Sequence, residues 1–282
     1  SLEIPLLASW AAGIPVRVTD VHTAPAALSS IPRLRRLVAR LAARSATNIR
    51  VSGQRTASLL RSQYRLPEQA FNVICLGVDL ERFTRAEPAS FIRREAGIPA
   101  DAVMAVVVGR LSEHKGHDVF LEAMAQLRQR HHDLHGVLVG DGPLRSALQQ
   151  AVEASGLRDR VTFVGFRGDI PQLLSASDMV VVPSTLETGP YVVLEAMAAG
   201  KPVIATDVGF VREVLVEPLM GRIVQTGNAT QLANAISELL ASGDVGRRAM
   251  GFAARRRAQE RYAEQRMVEQ LFQLYQGHGR HR

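Results

Sequence analysis

Short apolar runs rich in Val and Ile punctuate the chain at 16–19, 47–52, 72–76, 103–109, 136–140, 160–164, 179–182, 202–205 and 221–224. Amphipathic stretches with helical spacing, such as 116–130 and 144–155, lie between them. Runs of this length suit buried strands, and apolar positions recurring every three to four residues suit helices with one buried face. Strand and helix alternating to the end of the chain predict an α/β fold with parallel sheets covered on both faces.

The runs fall into two groups, three before residue 80 and six after residue 100. The stretch between them, 79–99, is rich in charge, carries Pro88 and Pro99, and shows no strand pattern, so it reads as a join. Two Rossmann-like domains are expected, at 1–90 and 91–250, with a helical segment at 251–282 returning to the first. Six strands suit an open doubly wound sheet. Three do not, and the opening Ser1-Leu2-Glu3-Ile4-Pro5 through Trp10 resembles the tail of a helix in mid-domain. Both observations predict an N-terminal domain that is incomplete.

Composition narrows the class. With 46% hydrophobic and 22% charged residues the chain is globular. The longest apolar run, 102–108, is far short of the roughly 18 to 20 residues of a membrane-spanning helix. The single cysteine, Cys75, excludes an intrachain disulfide, fits a reducing compartment, and sits in an apolar pattern that predicts an inert core thiol. A net charge of +7 invites nucleic acid, anionic lipid or a phosphate-bearing ligand. Nearly all of that charge is arginine, Lys115 and Lys201 being the only lysines, and no nucleic-acid-binding module is recognisable.

Three segments follow strands and could carry chemistry. In the first, 109–116, Arg110 stands at a strand's carboxyl end and Lys115 at a helix start. Ligands of open α/β sheets bind at strand carboxyl ends, and helix N-termini favour anions, so an Arg fork and a Lys point charge there suit a diphosphate. The same residues could be two solvated loop cations. The second, Gly140-Asp141-Gly142-Pro143, reads as a tight strand-to-helix turn. It is not the G-x-G-x-x-G fingerprint, which occurs nowhere in the chain and whose absence weighs against a dehydrogenase. The third, 183–202, places Glu187 in a loop, Gly189-Pro190 at a turn, and Tyr191, Val192 and Glu195 in the helix after it. Carboxylates accept paired hydrogen bonds from vicinal hydroxyls, and exposed N–H groups cradle phosphate, which is the order of groups in a nucleotide sugar. Spacing alone proves little, since Glu87 and Glu95 share it in the joining stretch without an assigned role.

Glu187 and Glu195 match the E-x7-E motif of the large family-4 glycosyltransferases, whose fold is GT-B. Ile49-Arg50-Val51-Ser52, Val73-Ile74-Cys75-Leu76-Gly77-Val78-Asp79 with Phe83, the segments at 109–116 and 139–143, Val161-Thr162-Phe163-Val164-Gly165, and Glu195-Ala196-Met197-Ala198-Ala199-Gly200 with Pro202-Val203 resemble that family in the same order. The resemblance runs from about Gly13 to about Tyr275 and is nearest to enzymes of exopolysaccharide and capsule assembly. It implies that Arg110 and Lys115 hold a diphosphate and that Glu195 binds ribose hydroxyls. Glu187, with the backbone from Gly189 to Tyr191 and on to Val192, would hold the donor sugar. Phe166 and Arg167 would border the base, and His22 would face the donor sugar. The donor would be a UDP- or GDP-sugar, with no further cofactor and no metal. The acceptor would be a glycan or a lipid-linked sugar, in retaining transfer for surface polysaccharide. Leu76, Thr188 and Val208-Gly209-Phe210 depart from the family's Asn, Gly and Gly-Gly, while Glu213 keeps its acidic position; the departures bear on the identity of the donor sugar.

Weaker patterns remain. The basic amphipathic stretch 31–41 could rest on an anionic membrane face as a peripheral contact of a cytoplasmic protein, or be an ordinary surface helix. His131-His132-Asp133-Leu134-His135 lacks the second cluster a metal site needs. Alternatives to transfer are a nucleotide-sugar-binding module without activity, a sugar-nucleotide epimerase on the same fold, and a nucleic-acid binder resting on charge alone.

Overall fold

A computed structural model of the chain describes residues 3–14, 17–21, 33–84 and 90–277. Among these described residues nine strands follow the expected order: β1 (Val18–Asp20), β2 (Asn48–Val51), β3 (Phe71–Val73), β4 (Val103–Val108), β5 (Leu134–Val139), β6 (Val161–Gly165), β7 (Met179–Val182), β8 (Val203–Thr206) and β9 (Gly221–Val224). Every pairing between them is parallel. The chain divides into two compact units, one of Ser1–Gly77, Glu187–Gly189 and Glu264–Arg282, the other of Val78–Leu186 and Pro190–Ala263.

The first unit holds a sheet of order β1-β2-β3. Ile49 and Val51 of β2 bury against Ala57, Leu60 and Leu66, which the helix Gln54–Tyr64 and its exit supply. On the strand's other side Arg50 is also buried, its Nε donating to the Ile74 carbonyl at 3.0 Å and its Nη1 pairing with Asp20 at 2.5 Å. The pairing compensates a charge that burial would otherwise penalise.

The second unit holds a six-stranded sheet of order β6-β5-β4-β7-β8-β9. Met104, Ala105, Val106 and Val107 of β4 are all buried, as a central parallel strand requires. The helices His117–Leu127 and Ala229–Ala241 cover one face with Phe120, Met124, Leu127, Ile236 and Leu239. The strand order reverses between β4 and β7, which makes their carboxyl ends the topological switch point of the sheet.

The joining stretch carries the helices Leu80–Thr84 and Ser90–Glu95, whose Phe83 and Ile92 are buried in the second unit. Apolar side chains spaced among charges suffice to anchor single helical turns, and the charges hid them. Cys75 lies outside its expected strand, because β3 ends at Val73, and the thiol is half-buried. Among the described residues no helix is long and apolar enough to cross a membrane.

Candidate functional site

At the switch point β4 and β7 run side by side, with Ala105 opposite Met179 and Val106 opposite Val180. The chain leaving β4 passes through Gly109, the exposed Arg110 and the buried Leu111, makes a 3-10 turn at Glu113–Lys115, and enters the helix His117–Leu127 through Gly116. Gly116 has φ 65°, and a Cβ there would lie 2.0 Å from the carbonyl oxygen of Pro183 in the loop that leaves β7. Only glycine fits such an approach. The two loops are further tied where the Thr185 amide donates to the His114 carbonyl at 2.9 Å. The turn at 140–143 acts as a buttress. A Cβ on Gly140 would lie 2.0 Å from the Gly109 carbonyl oxygen, and the Leu111 amide donates to the Asp141 carbonyl at 3.0 Å. The stem of Lys115 lies along Gly109, 3.3 Å from where a Cβ would stand. Arg110 and Lys115 are thus carried by a braced loop, and the guanidinium of Arg110 has no partner among the described residues.

Beyond β7 the helix Tyr191–Ala198 starts at Pro190, whose extended backbone precedes it. A helix's own ladder does not use its first-turn amides, so those of Tyr191 and Val192 face the same end of the sheet. Glu195 follows one turn later, half-buried, and burial raises its carboxyl pKa above the ordinary value while nearby Arg82 pulls it down. Arg82 sits on the helix Leu80–Thr84 and donates from Nη2 to the Gly168 carbonyl at 3.3 Å. It therefore ties its helix to the loop after β6. Sequence reasoning missed it, because one arginine in a charged stretch carries no local signal.

In that loop Phe166 is 84% exposed, an unusual state for a large aromatic ring. Arg167 follows it. Its Nε and Nη2 donate to the Asp169 carboxylate at 2.8 and 2.7 Å, and Nη1 lies 3.3 Å from Glu95. Donating to Asp169, and then to Glu95, raises the guanidinium pKa, and the Asp169 carboxyl is held below its usual value by the bonds it accepts. The charged end of Arg167 is thus engaged in a clasp within the unit, and Glu95, given no role from sequence, is one of its anchors.

Glu187 and Gly189 group with the first unit and Pro190 to Glu195 with the second, so the division falls inside the E-x7-E spacing. His22 lies outside the described residues. Beside Lys115, His117 opens its helix with 1% of its surface exposed, and neither ring nitrogen has a hydrogen-bond partner among the described residues. Burial, then the Lys115 charge, lowers its pKa to about 4, so the imidazole is neutral at pH 7. The histidines at 131–135 diverge: His131 bonds Ser237 and His135 bonds Thr162, each at 2.9 Å. Among the described residues no group of three or more His, Cys, Asp or Glu side chains could hold a metal ion.

The family model described as "Glycosyl transferases group 1" matches residues 89–258, which takes in every strand of the six-stranded sheet. The chain belongs to the group 1 glycosyl transferases. Among the curated relatives, the 2-deoxystreptamine glucosyltransferase of Streptomyces kanamyceticus is 30% identical over 241 residues, 81% of this chain and 62% of that protein. The D-inositol 3-phosphate glycosyltransferase of Saccharomonospora viridis is 34% identical over 224 residues, 75% of this chain and 51% of that one. The chain therefore spans about half to three-fifths of the length of these relatives. The crystal structure of Anabaena Alr3699/HepE in complex with UDP superposes with a TM-score of 0.87 at 27% identity, covering 98% of this chain and 76% of the other. The same Anabaena protein has been solved with UDP-glucose. This similarity makes the fold GT-B, with two Rossmann-like units of parallel sheet.

Proposed function

We propose that this group 1 glycosyl transferase binds a nucleotide-sugar donor at the carboxyl end of β4 and β7 and transfers its sugar with retention. The observation that carries the reading is the braced Arg110–Lys115 loop at the switch point, tied to the loop that leads into the helix Tyr191–Ala198. The UDP held by the Anabaena relative supports a uridine donor. In this scheme Arg110, Lys115 and the amides of Tyr191 and Val192 take the diphosphate, Glu195 accepts from the ribose hydroxyls, and Phe166 with the backbone of Arg167 borders the base. Glu187 and Gly189 hold the donor sugar, with His22 near it. The family-4 E-x7-E reading, the glycan or lipid-linked acceptor of surface polysaccharide and a peripheral membrane contact belong to the same proposal.

Chemically, the bond between the anomeric carbon and the β-phosphate oxygen breaks while the acceptor oxygen bonds to the same face. The acceptor's proton passes to the departing diphosphate, so no protein nucleophile is required. Stabilising that leaving group is the work of fixed cations and oriented amides, which cost no reorganisation as charge develops.

Calorimetric titration with UDP, GDP and ADP without metal tests the donor site. Saturable binding of one nucleotide is expected, weakened about tenfold or more in Glu195→Ala, the size of a lost hydrogen bond to a charged group. Because burial raises the Glu195 pKa, affinity should fall with acid at a higher pH than for an ordinary carboxylate. Glu187→Ala should impair turnover more than binding when transfer is assayed; equal activity would remove Glu187 from the scheme. Binding without transfer to any acceptor would favour a binding module.

A further inference from the structure

A further cation stands at the carboxyl end of the six-stranded sheet, beside the loop after β6. The turn at 140–143 leads into the helix Arg145–Ala154, and Arg145 opens that helix. The Gly140 amide donates to the Gly165 carbonyl at 2.8 Å, which fixes the turn to the end of β6. The guanidinium of Arg145 lies against the same end: its Nη1 is 3.7 Å from where a Cβ on Gly165 would stand. The residue after Gly165 is the exposed Phe166. Arg145, Gly165 and Phe166 all belong to the second unit.

The helix itself gives no reason for a cation here. A positive charge at the first position of a helix opposes the helix dipole. Asp141 offsets this only in part, because its Oδ2 lies 3.5 Å from Nη1, beyond the usual reach of an N–H···O bond, while its Oδ1 accepts from the Gly142 amide at 2.8 Å. The Arg145 side chain is 35% exposed and makes no hydrogen bond among the described residues. Arg167, on the other side of Phe166, differs: its charged end is held by Asp169 and Glu95. Of the two arginines that flank Phe166, Arg145 is therefore the one with donors open to a ligand.

We propose that Arg145 is the side chain that reads the base of the donor: its guanidinium donates to a ring carbonyl, which selects uracil or guanine over adenine. The inference rests on the donor reading above, in which Phe166 borders the base. A guanidinium carries donors and no acceptor. Uracil and guanine present carbonyl oxygens at the ring edge, whereas adenine carries an amino group where guanine has its carbonyl. Two donors that face each other are both left unpaired, and that penalty, more than the bond gained with the right base, produces the selection.

The test is calorimetric titration of the wild-type chain and of Arg145→Ala with UDP, GDP and ADP at fixed ionic strength. The wild type should bind UDP or GDP about tenfold or more tightly than ADP, the size of one charge-assisted hydrogen bond. In Arg145→Ala the affinity for the favoured nucleotide should fall about tenfold while that for ADP stays, so the preference collapses. Arg145 is half-buried at a helix start and outside the core, so the variant keeps its fold. A charge acting only on the diphosphate would weaken all three nucleotides alike. Equal loss across the three, an undiminished preference in the variant, or a wild type that favours ADP overturns the proposal and leaves the donor site standing. A wild type that binds none of the three overturns the donor reading, and this inference with it.

Discussion

His117 shows what one buried side chain costs. Its pKa in the folded chain, about 4, lies below the ordinary 6.5, so between these values the unfolded chain binds the proton that the folded chain refuses. Stability is therefore full above pH 6.5 and declines as the pH falls toward 4. The gap is worth roughly 3 kcal/mol at about 1.4 kcal/mol per tenfold change in proton affinity. Denaturant unfolding at pH 7 and pH 4.5 should show this decline, and His117→Phe should recover part of it. His135, also lowered by burial, keeps some of the slope in that variant. An identical acid slope in the two proteins would show that His117 does not titrate as its surroundings dictate. The residue scale is also where the sequence was least legible. Arg167 pairs with Asp169 and Glu95, and Glu95 lies 72 positions away. Arg82 gained its place only when the helix Leu80–Thr84 brought it to Gly168. Such pairings are set by tertiary approach, which no local pattern encodes.

At the scale of elements the sequence was far more legible. A parallel strand buried on both faces must be an apolar run, and a tight strand-to-helix turn must draw on a few residue types, so β4 to β9 and their glycine turns stood out. What the pattern did not reveal is why particular glycines are needed. Gly116 and Gly227 both have positive φ, 65° and 72°, yet a Cβ on Gly116 would strike the Pro183 carbonyl whereas one on Gly227 would meet nothing within 4 Å. Gly227→Ala should cost about 1 kcal/mol, the left-handed penalty alone. Gly116→Ala should cost ~3 kcal/mol or more, since a backbone carbonyl must also move. Thermal unfolding of the pair checks this; equal losses would mean that the β4 and β7 loops are not in contact as described. The short helices Leu80–Thr84 and Ser90–Glu95 went unread because each is too brief to display a period.

For the whole molecule the relevant contrast is between two cores. The first unit buries a small set around Ile49, Val51 and Leu60, and the second a cluster drawn from strands and helices across its sheet. Local stability follows the apolar surface a region buries. Amides of β1 to β3 should therefore exchange with solvent deuterium faster than those of β4, β5 and β7, and uniform protection across all six would contradict independent cores. The grouping of strands into three and six was visible in the sequence, since a long charged interval separates them. That Glu187–Gly189 groups with the first unit was not, because so short a return of the chain leaves no mark in composition.

Cys75 gives that difference between the units a practical form. It is the only thiol in the chain, it belongs to the first unit, and it is half-buried rather than sealed in a strand. A maleimide dye or nitroxide would therefore attach at one position per molecule, so any change in its signal reports on the first unit without a contribution from a label on the second.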